Sequence, residues 1–123
     1  MISFDGFLLE EGAPIYLQII TYLKRGMVAG SVRHGDELPS RRLLSARLGV
    51  NPNTVQKAYH MLEEAGLIAS QTGAKSTVVL TEEILCQLRR ELLESDIRSV
   101  IGAMTQMGLS KDEALKLIDK YWP

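Results

Sequence analysis

Apolar side chains recur every three or four positions near the start of this chain, as they do in a helix that buries one face. Pro14 suits the first position of this helix, where its missing N–H has no role, and Gly30 suits its end. The pattern therefore predicts a first helix from about residue 14 to residue 29. Its apolar positions are Tyr16, Ile19, Ile20, Leu23 and Met27.

Two further helices are predicted close together along the chain. Ser40 is a natural N-cap for a short helix over residues 41–48, and Gly49 suits the end of that helix. Asn51 is a second N-cap, and Pro52 stands at the first position of a third helix that runs to about residue 65. Two helices joined by a tight glycine turn form a helix-turn-helix.

The third predicted helix has an apolar face and a polar face on opposite sides. The apolar face suits a protein core and consists of Val55, Ala58, Tyr59 and Leu62. The polar face contains no acid and is rich in groups that bond base edges or phosphates. Its members are Asn53, Gln56, Lys57 and His60. We therefore predict that this is the recognition helix, which lies in the major groove of DNA.

Two strands are predicted directly after the third helix, over residues 67–71 and 76–80. A β-hairpin in this place is the wing of a winged helix-turn-helix. Gly73 at its tip lets the backbone approach DNA closely, and Lys75 places a cation where phosphate would lie. The sequence therefore predicts a second DNA-contacting element beside the recognition helix.

A long helix is predicted over residues 81–106, and Ser110 and Glu113 then form a capping box for a last helix. A helix of about 26 residues spans about 39 Å, too long to bury its apolar stripe against so small a domain. A second copy of the chain is the commonest partner for such a stripe, the alternative being packing on the last helix alone. Two helices also leave little surface to enclose a ligand. The predicted dimerisation residues are Leu85, Leu88, Leu92, Ile97, Val100 and Met104.

These elements predict a mainly α fold with a small β wing. A winged helix-turn-helix DNA-binding domain is expected over residues 1–80, followed by a two-helix dimerisation tail over residues 81–123. The hydrophobic content of 46% supports a real core. Cys86 lies in an apolar helical pattern, where we expect a buried and inert thiol.

The net charge of −1 conceals an asymmetry between the two parts of the chain. Between Lys24 and His60, seven basic residues stand against two acidic ones, whereas six basic residues stand against eight acidic ones from Thr81 onward. Such segregation indicates a polyanionic partner for the first part only. The chain has no long apolar run and no signal-peptide pattern, so we expect a cytoplasmic protein without a membrane partner.

Two other functional classes are disfavoured by the residues. A winged helix that binds proteins more often exposes apolar or acidic residues on its outer face, where this chain has polar and basic ones. An enzyme is also disfavoured, because His34 and His60 lack further metal ligands at the usual spacing and no nucleophilic or nucleotide-binding motif stands out. No metal or other cofactor is expected, and the sequence leaves a small-molecule effector unknown.

Four stretches together resemble the GntR family of bacterial transcription regulators, over about residues 10 to 80. They are residues 14–19 (PIYLQI), 35–44 (GDELPSRRLL), 48–59 (LGVNPNTVQKAY) and 62–68 (LEEAGLI). Typical members contact DNA through the arginine matched by Arg42, the start of the recognition helix and the wing glycine matched by Gly73. Many also have basic residues where this chain has Pro52 and Gln56, which indicates a different operator. The predicted DNA-binding residues are Ser40, Arg41, Arg42, Asn51, Asn53, Thr54, Gln56, Lys57, His60, Gly73 and Lys75.

The length of the tail indicates which subfamily of the GntR family the chain resembles. Only 43 residues follow Leu80, too few for the larger effector domains of the family. A two-helix tail resembles the YtrA subfamily, whose short C-terminal segment mainly dimerises. The resemblance implies a homodimeric regulator of transcription, a repressor that binds an inverted-repeat operator in double-stranded DNA, with a role at a transporter operon.

Overall fold

The computed structural model describes residues 1–71 and 75–123, and within them it contains five helices and two strands. In chain order these are α1 (Ile15–Ala29), α2 (Arg41–Leu48), α3 (Pro52–Glu64), β1 (Ile68–Gln71), β2 (Lys75–Val78), α4 (Glu82–Gln106) and α5 (Lys111–Tyr121). The predicted mainly α fold with a small β wing is confirmed, as is the helical C-terminal region.

Side-chain caps define the ends of the helices in the helix-turn-helix. The Ser40 hydroxyl accepts a hydrogen bond from the Leu43 N–H at 3.1 Å, and the Asn51 carbonyl oxygen accepts one from the Asn53 N–H at 2.8 Å. Both caps satisfy amides that have no partner within their own helix, as predicted. Pro14 is the N-cap of α1 and not its first residue, because its ψ of 138° is not helical.

The core of the winged helix lies between α3 and the two helices before it, which both pack against α3. All four residues of the predicted apolar face of α3 are buried, and Tyr59 is only 1% exposed. Its hydroxyl donates a hydrogen bond to the Pro39 carbonyl at 2.8 Å. This bond joins α3 to the turn that precedes α2, and so it helps to fix the angle between the two helices.

The N-terminal segment belongs to the same core, which the sequence pattern did not indicate. Ile2 and Phe4 are buried, and the Ile2 N–H donates to the Glu37 carbonyl at 2.9 Å. The Phe4 ring stacks on Tyr22 of α1, with 5.0 Å between ring centroids. Residues before the first helix therefore cover one side of α1.

The wing is an antiparallel hairpin in which Ile68 pairs with Val78 and Gln71 pairs with Lys75. The hairpin is confirmed, although β2 begins one residue earlier than predicted and ends two residues earlier. The segment before α2 lies along β2, where the Leu38 N–H donates to the Ser76 carbonyl at 2.9 Å. Gly73 lies outside the described residues.

Contacts divide the chain into two units, Met1–Leu88 and Arg89–Pro123. The first unit includes the first two turns of α4, where Leu88 is 5% exposed. Cys86 is exposed, so the expectation of a buried thiol is wrong. It stands two positions before Leu88 in the helix, and a step of two residues turns the side chain away from the buried face.

The second unit consists of the end of α4, a turn and α5. Ser110 caps α5 by accepting a hydrogen bond from the Glu113 N–H at 3.2 Å, as the capping box predicts. The reciprocal contact differs, because the Ser110 hydroxyl donates to the Glu113 carboxylate at 3.2 Å. No side chain of this unit is buried within a single chain. Its exposed large apolar residues are Leu93, Ile97, Val100, Ile101, Met107, Leu115, Leu117, Ile118, Tyr121 and Trp122.

Within residues 1–71 and 75–123, none of the helices is both long enough and apolar enough to cross a membrane.

Candidate nucleic-acid interface

The outer face of α3 is exposed along its whole length. All four residues of the predicted polar face are exposed, whereas the four on the opposite face are 0 to 1% exposed. The sequence therefore separated the two faces correctly. The exposed residues are Asn53, Gln56, Lys57 and His60. Amide, ammonium and imidazole groups presented together on one helix face match the acceptors and donors of the major groove.

The start of α3 also carries candidates that are engaged within the chain. The Asn51 side chain caps the helix, so its carbonyl oxygen already has a partner. Thr54 is half-buried in the first turn of α3. Ser40 is likewise the cap of α2. At these positions the backbone amides at the start of each helix, and not the capping oxygens, are the groups suited to a phosphate.

The two arginines at the start of α2 have different environments. Arg42 is exposed, whereas Arg41 is half-buried with its guanidinium carbon 5.3 Å from the centroid of the Tyr59 ring. The Arg41 Nε is buried and has no hydrogen-bond partner in the described chain. Burial raises the pKa of Tyr59, and the nearby Arg41 charge opposes that shift only in part. The Tyr59 hydroxyl therefore stays protonated and keeps its bond to Pro39.

A second cation also lies on an aromatic ring. The Lys57 ammonium is 4.0 Å from the centroid of the Tyr16 ring, in the first turn of α1. The sequence pattern indicated Tyr16 only as part of the apolar stripe of α1. In the structure, Tyr16 is half-buried and its ring also contacts Lys57 at the edge of the exposed face of α3.

Two other candidate residues are paired with carboxylates. The His60 Nε2 is 2.6 Å from the Glu64 carboxylate, one helical turn further on. The Lys75 ammonium is 3.8 Å from the Glu37 carboxylate at the base of the wing. The polar face is free of acid at its four positions, but Glu64 borders it. The spacing of His60 and Glu64 is that of a common helix pair, so the sequence contained this signal.

A separate surface lies in the second unit, between the end of α4 and α5. A groove of about 430 Å³ runs between these helices and is lined mainly by aliphatic side chains. This volume lies in the range of about 300–1,000 Å³ that is usual for ligand pockets, but it belongs to an open groove of a single chain, so the expectation that the tail encloses no ligand stays a prediction. The groove includes Ile97, Val100 and Met104 from the predicted dimerisation stripe. Leu92 is half-buried, whereas Leu85 and Leu88 belong to the first unit.

The described residues contain no group of three or more His, Cys, Asp or Glu side chains placed to hold a metal ion.

The sequence is similar to a family of bacterial regulators and to individual members. The family model described as bacterial regulatory proteins, gntR family, matches residues 15–79. The uncharacterized HTH-type transcriptional regulator YhcF of Bacillus subtilis is 30% identical over 112 residues, which cover 91% of this chain and 93% of that protein. The HTH-type transcriptional repressor YtrA of the same organism is 43% identical over 78 residues, which cover 57% of this chain and 60% of that protein.

Solved structures share the fold. A GntR family transcriptional regulator from Listeria monocytogenes has a TM-score of 0.80 and 30% identity, covering 91% of this chain and 98% of that one. The DNA-binding domain of AraR, solved in complex with operator ORX1, has a TM-score of 0.51 and 26% identity, covering 64% of this chain and 95% of that one. The similar proteins are regulators of transcription and not enzymes.

Proposed function

Because this chain belongs to the gntR family of bacterial regulatory proteins, we propose that it is a transcription repressor that binds an inverted-repeat operator as a homodimer. The chain is a DNA-binding transcription regulator of the YtrA subfamily. Repression, the symmetry of the operator and the dimer are the parts that we add. We place the protein in the cytoplasm, where a bacterial regulator meets its operator.

The exposed polar face of α3 is the observation that carries the DNA-binding interface. A helix in the major groove needs side chains that both donate to and accept from base edges, without carboxylates that repel phosphate. The predicted DNA-contacting residues of α2 and α3 meet this need, with Arg42 and Lys57 as its cations and the helix starts as amide donors. Lys75 extends the same positive surface to the wing. The AraR complex with its operator supports the use of this fold on DNA.

The homodimer is supported by the second unit. Its apolar side chains are all at least partly exposed in a single chain, and Ile97 is 56% exposed. Contiguous apolar surface of this kind marks an interaction site, and a second copy is the commonest partner. One recognition helix contacts few base pairs, so two copies related by a two-fold axis would bind an inverted repeat. Leu88 is already covered within its own chain, so we assign the interface to Leu92, Ile97, Val100 and Met104.

Repression and the target operon are supported by similarity alone. YtrA of Bacillus subtilis is named as a transcriptional repressor. The resemblance to the YtrA group suggests a transporter operon as the target. A bound dimer represses when its operator overlaps the promoter, so the position of the binding site tests this part directly.

Selection of bound fragments from the host genome tests the DNA part of the proposal. We expect enrichment of a short sequence with two-fold symmetry, whose half-sites are separated by about one helical turn. Footprinting on the enriched fragments then locates the site relative to the promoter. An enriched site without two-fold symmetry would contradict the inverted repeat, and a site upstream of the promoter that raises transcription would contradict repression.

Sedimentation of the full-length protein tests the homodimer. Leu92→Glu combined with Ile97→Glu places two charges on the proposed interface, where their burial is costly. We expect a dimer for the unchanged protein and a monomer for this variant. Arg98→Glu is the matched control, because it changes the charge by the same two units at an exposed position on the side of the helix away from Val100. A monomeric unchanged protein, or a control that dissociates equally, would contradict the assignment.

A further inference from the structure

Apart from Arg42, the basic and imidazole groups of the candidate interface fall into two classes according to the side chain that each one contacts. Lys57 and Arg41 lie against the rings of Tyr16 and Tyr59. His60 and Lys75 lie against carboxylates instead. The two classes differ in how much positive charge the side chain presents to a phosphate.

A carboxylate partner cancels the charge that a phosphate needs. For His60 or Lys75 to contact DNA with full effect, its contact with the carboxylate must be broken or shared, and that carboxylate is then left close to the phosphates. An aromatic ring attracts a cation through its quadrupole and has no net charge. A cation held on a ring therefore keeps its whole charge for the polyanion.

The ring also reduces the conformational entropy that the Lys57 side chain loses when DNA binds. A free lysine side chain is flexible, and fixing it at an interface loses rotamer freedom. The ammonium lies 4.0 Å from the Tyr16 centroid at the edge of the exposed face of α3, and attraction to the ring favours this position over others. Less freedom is then lost when DNA binds.

Arg41 lies over an aromatic ring, with its guanidinium carbon 5.3 Å from the Tyr59 centroid. Its buried Nε has no acceptor among the described residues, which is costly for a charged donor. The planar guanidinium lies near the Tyr59 ring, and that ring is fixed by its burial and by its bond to Pro39. The geometry of Arg41 is therefore set by a rigid element of the core.

We infer that Tyr16 and Tyr59 are positioning residues for DNA binding, which hold Lys57 and Arg41 on their rings so that both cations contact phosphates. This inference rests on the proposed DNA-binding function and adds two residues that are not themselves assigned to base contacts. Lys57 is the better test, because Tyr16 is half-buried and can be changed without opening the core.

The experiment measures affinity for a random-sequence duplex of about 30 base pairs over a range of salt concentrations, since phosphate contacts do not depend on sequence. Lys57→Met should flatten the salt dependence by about one unit per chain. Tyr16→Leu should weaken binding about 2- to 5-fold and flatten the salt dependence in the same direction. Tyr16→Phe keeps the ring and should bind like the unchanged protein.

A double-mutant cycle separates positioning from a structural effect. In the Lys57→Met background, Tyr16→Leu should have no further effect, because the cation that the ring holds is gone. Lys116→Met in α5 is the matched control, since it removes a cation that is paired with Asp112 in the second unit. It should leave the salt dependence unchanged.

The Arg41 contact is tested by a change of shape at constant charge. Arg41→Lys keeps the cation and loses the planar group that lies over Tyr59. We expect weaker binding on all sequences alike. Binding equal to that of the unchanged protein would show that charge alone is needed and that the ring has no part.

Failure of the inference and failure of the proposed function have different signatures. A full-length protein that binds no duplex even at low salt overturns both. A protein that binds DNA while Tyr16→Leu behaves like the unchanged chain overturns the positioning role alone. The same follows if Tyr16→Leu weakens binding equally with and without Lys57.

Discussion

Replacement of Tyr59 by phenylalanine removes one hydrogen bond from the centre of the helix-turn-helix. The hydroxyl donates to the Pro39 carbonyl at 2.8 Å, and the side chain is 1% exposed. Phenylalanine fills nearly the same space, so the main loss is the bond and the unpaired carbonyl that remains. Leaving a buried acceptor without a partner costs about 1–3 kcal/mol. For a unit of this size, each kcal/mol lowers the melting temperature by about 4–8 °C.

The cost of Tyr59→Phe should depend on pH in the alkaline range. Burial raises the pKa of Tyr59 above its ordinary value of 10.0, so the folded chain keeps the proton while the unfolded chain loses it. The stabilisation is therefore fully present below pH 10 and is lost as the pH rises above it. The loss amounts to about 1.4 kcal/mol per pH unit. One to two pH units above 10, the two proteins should be equally stable.

Urea unfolding followed by circular dichroism, at several pH values from neutral upward, measures both effects. Tyr121→Phe is the matched control, because the same hydroxyl is removed from a side chain that is 73% exposed. The control should leave the free energy of unfolding unchanged. A Tyr59→Phe protein as stable as the unchanged one at neutral pH would refute the role given to the bond. A stability difference that persists unchanged at high pH would refute the argument from burial.

Three further results are expected. Arg42→Ala should weaken operator binding by about 1–3 kcal/mol. Thermal melting should stay normal, because the side chain is exposed. Unchanged affinity in a gel shift would exclude a contact between Arg42 and DNA. Lys75→Ala should weaken binding to all sequences alike and flatten the salt dependence of the affinity. If this variant weakened binding to one operator sequence only, Lys75 would contact a base instead of phosphate. Glu37→Gln should strengthen binding, because it removes the carboxylate that pairs with Lys75. Removal of residues 89–123 should leave a folded monomer that binds its operator weakly. A truncated protein that binds as tightly as the whole chain would show that the tail has a function other than dimerisation.

The local elements were predictable because the chain marks them at their ends. Ser40 and Asn51 cap the helices that they were expected to cap, and Gly49 has the left-handed φ of 68° that a helix end favours. The two faces of α3 followed from periodicity alone. Information of this kind lies within a few residues along the chain.

The contacts between distant parts of the chain were not predictable in this way. Tyr16 and Lys57 are 41 positions apart, and Ile2 meets Glu37 through backbone groups that have no sequence pattern. The segment before α1 alternates apolar and polar residues only over residues 2–5, which is too short a run to show what covers Ile2 and Phe4. Cys86 was placed wrongly because membership of an apolar stretch does not fix which side of a helix a residue occupies.

In α3, different side chains serve folding and the proposed DNA contacts, and this separation affects how related regulators diverge in the sequences that they bind. The side chains that set the fold of the helix are its cap and its buried face, and the four polar side chains on the opposite face, which are proposed to contact base edges, are a separate and exposed set. Substitutions in the exposed set change no core packing, and surface changes of this sort usually alter stability by less than about 0.5 kcal/mol. After gene duplication, one copy is therefore free to acquire a new target sequence while its stability stays above the threshold for folding. The same separation makes this helix a suitable place to reprogram the protein toward a chosen operator.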